Sequence, residues 1–211
     1  MKALALLFAL FAGAAAALAQ GAQPGPVLPA FYDVTGVAAD DVLNLRAGPD
    51  SSTPVVGALP PDARGVEVLS LGGNGRWGLV ATAEGASWAS MHYLVRQPGQ
   101  PGDRLPRPLL CTGTEPFWSL DLRQGKALFE RIDSAPLRLL PVWEGSPEGR
   151  PPLALGLRLE GEGAGIQAVV RREPCFDEMS GRAHGLSIAA ILSGALGDGM
   201  LLGCCSLNQG P

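Results

Sequence analysis

Glycine and proline interrupt this chain so often that no long regular element can form. The 211 residues include 29 glycines and 19 prolines, and almost every short apolar run is bounded by one or the other. Such punctuation suits many short strands joined by tight turns and leaves no convincing helix. The remainder is 46% hydrophobic, enough for packed cores, so disorder is not the reading. An all-β fold is expected. Sixteen basic residues against twenty acidic ones, with no basic run, argue against nucleic acid or anionic lipid as the main partner.

The first nineteen residues stand apart. Lys2, the apolar run Ala3 to Ala12 and the ending Ala17-Leu18-Ala19 have the layout of a secretory signal peptide. Cleavage after Ala19 would leave a periplasmic or secreted protein with no stable membrane insertion. Export sets the redox context, in which four cysteines read as disulfides. Residues 20–30 hold three prolines and two glycines and read as an exposed tether. A second such stretch, 96–108, contains Pro98, Pro101, Pro106 and Pro108 and reads as a linker. It separates two domains, 31–95 and 109–211.

The first domain alternates apolar runs and turns. Strands are expected near Val42 to Leu45, Val55 to Leu59, Val66 to Leu69, Arg76 to Val80 and Ala86 to Ser90, with a hairpin turn at Gly72-Gly-Asn-Gly75. Leu43-Asn-Leu-Arg-Ala-Gly-Pro49, Val56-Gly-Ala-Leu-Pro60, Trp77 and Ser87-Trp-Ala-Ser-Met-His-Tyr-Leu94 resemble the bacterial SH3-type domain. Ser87 stands where that family usually has glycine, and Asp62 lies near the usual glycine of the second turn. The resemblance implies a small β-barrel that binds cell-wall peptides or acts as a targeting module. The candidate ligand surface is drawn from Tyr32, Trp77, Trp88 and Tyr93, since flat aromatic faces stack on sugars and peptide backbone. The competing reading puts both tryptophans in the core. Asn44, Arg46, Gly48 and Pro49 belong to the motif, the first two as turn-pairing residues.

In the second domain Phe117, Ser119 and Asp121 alternate with Trp118, Leu120 and Leu122, the period of a strand. Further strands are expected at Lys126 to Arg131, Leu137 to Val142, Ala154 to Glu160, Ile166 to Arg172, Leu186 to Leu192 and Met200 to Leu207. The Ala pair leaves a short helix open at Leu186 to Leu192. A lipocalin-like antiparallel barrel or a sandwich would hide the strand edges. Gly113-Thr-Glu-Pro-Phe-Trp-Ser-Leu120, Cys175-Phe-Asp-Glu-Met-Ser-Gly181 and Gly203-Cys-Cys205 resemble a family of uncharacterised bacterial envelope proteins. The resemblance marks Gly113, Glu115, Pro116, Phe117, Trp118, Asp177, Met179 and Ser180 as its motif residues. No cysteine follows the cleavage site, which departs from a lipoprotein, and Arg182-Ala-His-Gly185 departs from the usual Tyr-Pro.

Cys204 and Cys205 are adjacent and would face opposite sides of a strand, so each should find a different partner. The family pattern implies Cys175–Cys204, which leaves Cys111–Cys205; Cys175–Cys205 with Cys111–Cys204 is the alternative. No Cys-x-x-Cys motif supports a redox role, and the two histidines, His92 and His184, lie in different domains, so neither metal nor cofactor is expected. Glu115, Asp177, Glu178, Ser180, Arg182 and His184 form the sole polar cluster. Without a Gly-x-Ser-x-Gly elbow it reads as a turn whose side chains satisfy backbone. The expectation is a non-enzymatic binding protein engaging peptidoglycan or an envelope protein. The alternatives are an inhibitor or small-ligand carrier acting through the barrel, and a wall hydrolase.

Overall fold

The computed structural model describes residues 26–82, 85–132 and 134–207; the signal segment and most of the tether lie outside them. Two bodies of antiparallel strands follow one another. The first contains β1 (Ala30–Val34), β2 (Leu43–Arg46), β3 (Val55–Leu59), β4 (Val66–Gly72), β5 (Trp77–Thr82), β6 (Gly85–Ser90) and β7 (Leu94–Arg96), with one 3-10 turn at Met91–Tyr93. They form one sheet in the order β3-β2-β6-β5-β4-β1-β7. Its core comes from period-two alternation: Ala30, Tyr32 and Val34 on β1, Leu43 and Leu45 on β2, Val66 and Val68 on β4. The β4–β5 hairpin turns through Gly73 and Asn74, both at φ 57°, a geometry that glycine and asparagine tolerate.

The second body contains β8 (Leu109–Thr114), β9 (Phe117–Arg123), β10 (Lys126–Arg131), β11 (Leu137–Gly145), β12 (Ala154–Gly161), β13 (Ala164–Arg171), β14 (Cys175–Phe176), β15 (Ala183–His184), β16 (Leu186–Gly194) and β17 (Gly199–Leu207). Eight of these close into a barrel, β10-β11-β12-β13-β16-β17-β8-β9, and β14 and β15 form a separate small hairpin. Closure removes the exposed edges that an open sheet would present. Inward positions are filled by one cluster that includes Trp118, Leu120 and Leu122 from β9, Phe129, Leu139, Leu157, Leu159, Ile166 and Val170. The segment Leu186 to Leu192 is strand, not helix: Leu186, Ile188, Ala190 and Leu192 all point inward, which is the period of a pleat. Pro141 lies inside β11, where the register with β12 shifts; a bulge is where a strand can accept a residue lacking its N–H.

The cysteines staple this barrel twice. Cys111 is bonded to Cys205 and Cys175 to Cys204, the first of the two connectivities considered. Cys205 pairs with Cys111 across β17 and β8, with both residues fully buried in the barrel cluster. Cys204 faces outward and holds β14 against the wall.

The stretch read as a linker, 96–108, is pinned at several points. The Gln100 side chain accepts the Phe31 N–H at 2.7 Å and donates to the Phe31 carbonyl at 2.9 Å, continuing the β1–β7 pairing beyond Arg96. Asp33 accepts from Gln97, the Gly65 N–H and Arg64, and these bonds hold its carboxyl below the ordinary value. Leu105 is 2% exposed within the barrel cluster, and Phe31 packs on the same cluster. Arg107 pairs with Glu144 on β11. The described end of the tether is packed too, Pro29 lying against Gly185. These are isolated anchors without periodicity, so no sequence pattern announces them. Together they set the first sheet over the barrel end where β8 begins and β17 finishes.

Candidate functional site

Trp77 on β5 and Trp88 on β6 share one face of the first sheet, because Leu79 is two residues beyond Trp77 on β5 and is the register partner of Trp88. Neither tryptophan belongs to the core cluster, and both are partly exposed. Glycines make this arrangement possible: a Cβ on Gly72 would stand 2.7 Å from the Trp88 ring, and one on Gly73 would stand 2.7 Å from the Trp77 ring. Pro49 borders the same spot, 3.3 Å from the Gly72 Cβ position. The loop carrying it is folded by Arg46, whose Nη1 donates to the Thr53 carbonyl at 2.7 Å, and by the Thr53 hydroxyl, which donates to the Gly48 carbonyl at 3.0 Å. Asn44 is exposed on β2. Tyr32, expected among the surface aromatics, is 4% exposed because it alternates inward with Ala30 and Val34. Tyr93 packs against the core rim, edge-on to His92. The aromatic surface is therefore Trp77 and Trp88, bordered by Pro49, without the tyrosines.

Leu79 also lines a cleft of about 770 Å³ where the two bodies meet. Val27, Leu28, Leu69 and Leu71 form one wall; Pro152, Leu153, Pro174, Phe176 and Ala183 form the other. The cleft's polar side chains are Ser70, Arg172, Glu173 and His184. His184 is 7% exposed, and its Nδ1 lies 3.1 Å from the Ser206 hydroxyl. Burial, reinforced by the Arg182 charge, lowers its proton affinity, with Asp177 opposing.

Glu67, which the sequence did not single out, sits in this junction. It is the register partner of Phe31, and its Oε1 accepts the Leu207 N–H at 3.1 Å. Burial pushes its carboxyl from 4.5 up to about 7, with the Leu207 N–H and the Arg182 charge opposing. A raised value means that the folded state favours the protonated acid. The stabilising contribution is thus complete below about pH 4.5 and is lost as pH rises toward 7. The difference is roughly 3 kcal/mol. Glu67→Gln keeps an acceptor for Leu207 without the charge. Its melting temperature is expected to exceed the parent's at about pH 8 and to match it near pH 4.5; equal melting curves at both would contradict the assignment.

The second-domain motifs converge on the outer barrel wall. Asp177 Oδ1 accepts the N–H groups of Met179 and Ser180 at 2.9 and 2.8 Å, and these bonds, that from Ser180 foremost, hold its carboxyl below the ordinary value. Ser180 in turn accepts from the Arg182 N–H. Ser180 and His184 are not partnered: the serine serves its own turn and the histidine contacts Ser206. Met179, Glu115, Pro116 and Phe117 are exposed, whereas Trp118 points into the barrel, passing over Gly113 and Gly203, where a Cβ would collide with its indole. Glu115, Glu173, Asp177 and Glu178 line a shallow cavity of about 620 Å³ beside the Cys175–Cys204 bridge. Among the described residues no three His, Cys, Asp or Glu side chains are grouped as a metal site, and no helix is long and apolar enough to cross a membrane.

The fold defines the chain as an all-β protein built on a closed, disulfide-stapled eight-stranded barrel, and its two bridges are those of an oxidising compartment. Comparison with protein-family models, curated proteins and solved structures finds no match.

Proposed function

We propose that this is an exported, non-enzymatic binding protein of the cell envelope, whose first, SH3-like domain engages peptidoglycan. The observation that carries the reading is the Trp77–Trp88–Pro49 surface. Two tryptophans outside the core, each lying over one of two consecutive glycines, offer rigid contact area at low entropic cost. The resemblance of the second domain to a family of envelope proteins and the two disulfides support the compartment. A ligand carried inside the barrel would have to displace the leucines that fill it, so an outer surface is the better site.

The test is retention of the oxidised protein on purified peptidoglycan sacculi. Deleting the first domain would strip Phe31 and Glu67 from the barrel end, so point variants are the sounder comparison. Trp77→Ala and Trp88→Ala are each expected to weaken retention about 10–30-fold, as central aromatic anchors do, while Met200→Glu on the outer barrel wall has no effect. Retention unaltered in both tryptophan variants, or no retention of the parent, would sink the wall-binding reading.

A further inference from the structure

We propose that the cleft between the two bodies is a separate binding site for a single-chain amphipathic anion, a fatty-acyl carboxylate. Its alkyl chain would lie on Leu69, Leu71, Leu79 and Phe176, and its carboxylate would face Arg172. The inference does not depend on wall binding.

Three observations carry it. The first is the lining: apolar side chains from both bodies, in a space of about 770 Å³, within the 300–1,000 Å³ typical of small-molecule sites. The mouth is open, since Leu153 and Phe176 are each 62% exposed. Large apolar residues left in water around a concavity mark a surface awaiting an apolar partner.

The second is the cation. Arg172 spends its donors on neutral carbonyls: Pro152 at 3.1 Å, Leu28 at 3.2 Å, Gly102 at 3.3 Å and Arg104 at 3.5 Å. Among the described residues neither Arg172 nor the nearby Arg96 forms an ion pair, and the Arg96 Nε is buried without a partner. Partly buried charges are normally neutralised by an opposite charge. The Arg96 charge adds to that of Arg172, so the local field is positive.

The third is the state of the neighbouring polar groups. Glu173 is engaged by the Ser187 hydroxyl and by Arg171 at 3.2 Å, so it does not serve Arg172. His184, in contact with Ser206 and of lowered proton affinity, adds no negative charge. An apolar trough whose wall carries Arg172, without an ion-pair partner among the described residues, selects an anion with an alkyl tail.

Calorimetric titration of the oxidised protein with soluble amphiphiles tests this. Dodecanoate is expected to bind once per chain, at least tenfold more tightly than dodecan-1-ol or dodecyltrimethylammonium, and about fourfold more tightly than the acid one methylene shorter. Leu153→Glu and Phe176→Glu, at exposed positions that do not support the core, are expected to weaken dodecanoate at least tenfold with unchanged melting; Met200→Glu leaves it unchanged. Absence of saturable binding, equal affinity for carboxylate and ammonium, or indifference to both cleft variants would each overturn the proposal. The comparison of head groups uses unaltered protein, so it stands even if a variant folds poorly.

Discussion

Replacing Trp118 with alanine is expected to lower the unfolding free energy by about 3–5 kcal/mol, the range for removing a buried tryptophan or phenylalanine. For a chain of this size that corresponds to a fall in melting temperature of roughly 6–20 °C. The effect is large because the indole is 4% exposed, stacks on Phe129 at a centroid distance of 6.2 Å and fills space reserved by two glycines. The cavity left behind is walled by paired strands that cannot collapse without breaking their ladders. Phenylalanine should behave differently. The Trp118 Nε1 is buried with no hydrogen-bond partner among the described residues, a cost of about 1–3 kcal/mol that Trp118→Phe removes. Trp118→Phe is therefore expected to lose less than half as much stability as Trp118→Ala in urea unfolding. Equal losses in both would show that the indole N–H is satisfied in solution.

Removing the inner bridge is the second large effect. Cys111 and Cys205 are 94 residues apart and join the first barrel strand to the last, so their bond restricts nearly the whole domain when unfolded. Chain-entropy reasoning gives about 4–5 kcal/mol for a loop of that length, and about 3–4 kcal/mol for the 29-residue loop between Cys175 and Cys204. Paired alanine substitutions, compared by denaturant unfolding, should rank in that order. Mild reductant should reach the outer bridge first, because Cys111 and Cys205 are fully buried whereas Cys175 is partly accessible. Mass mapping of alkylated cysteines would report this directly, and prior loss of the inner bridge would contradict the placement of the two bonds.

The barrel strands were legible because they keep a two-residue period over six to nine residues. Phe117 to Arg123 reads the same way on paper and in space: Trp118, Leu120 and Leu122 inside, Ser119 and Asp121 outside. The opposite facing of Cys204 and Cys205 followed from the same rule. The first sheet was less legible. β7 has three residues and β1 only five, too few for a period to declare itself, and Tyr32 was misplaced for that reason. The aromatic surface was half legible: the tryptophans stand out as residues, but which face they occupy depends on register with β4 and β6. The junction was not legible at all. Glu67, Arg172, Leu105 and Ser206 are unremarkable in sequence, and each acquires its role from a partner far along the chain.

By itself the sequence determined the class of the protein: short strands cut by glycine and proline, one alternating face per strand, and cysteines placed for stapling. Those properties are local, since period and turn chemistry act over a few residues. The three-dimensional fold was needed to show that residues of the linker are pinned, that a carboxyl is buried between the two bodies, and that apolar side chains from both line one cleft beside the Arg172 guanidinium. Burial and electric field at a junction are sums over residues from distant parts of the chain, and no local pattern encodes them.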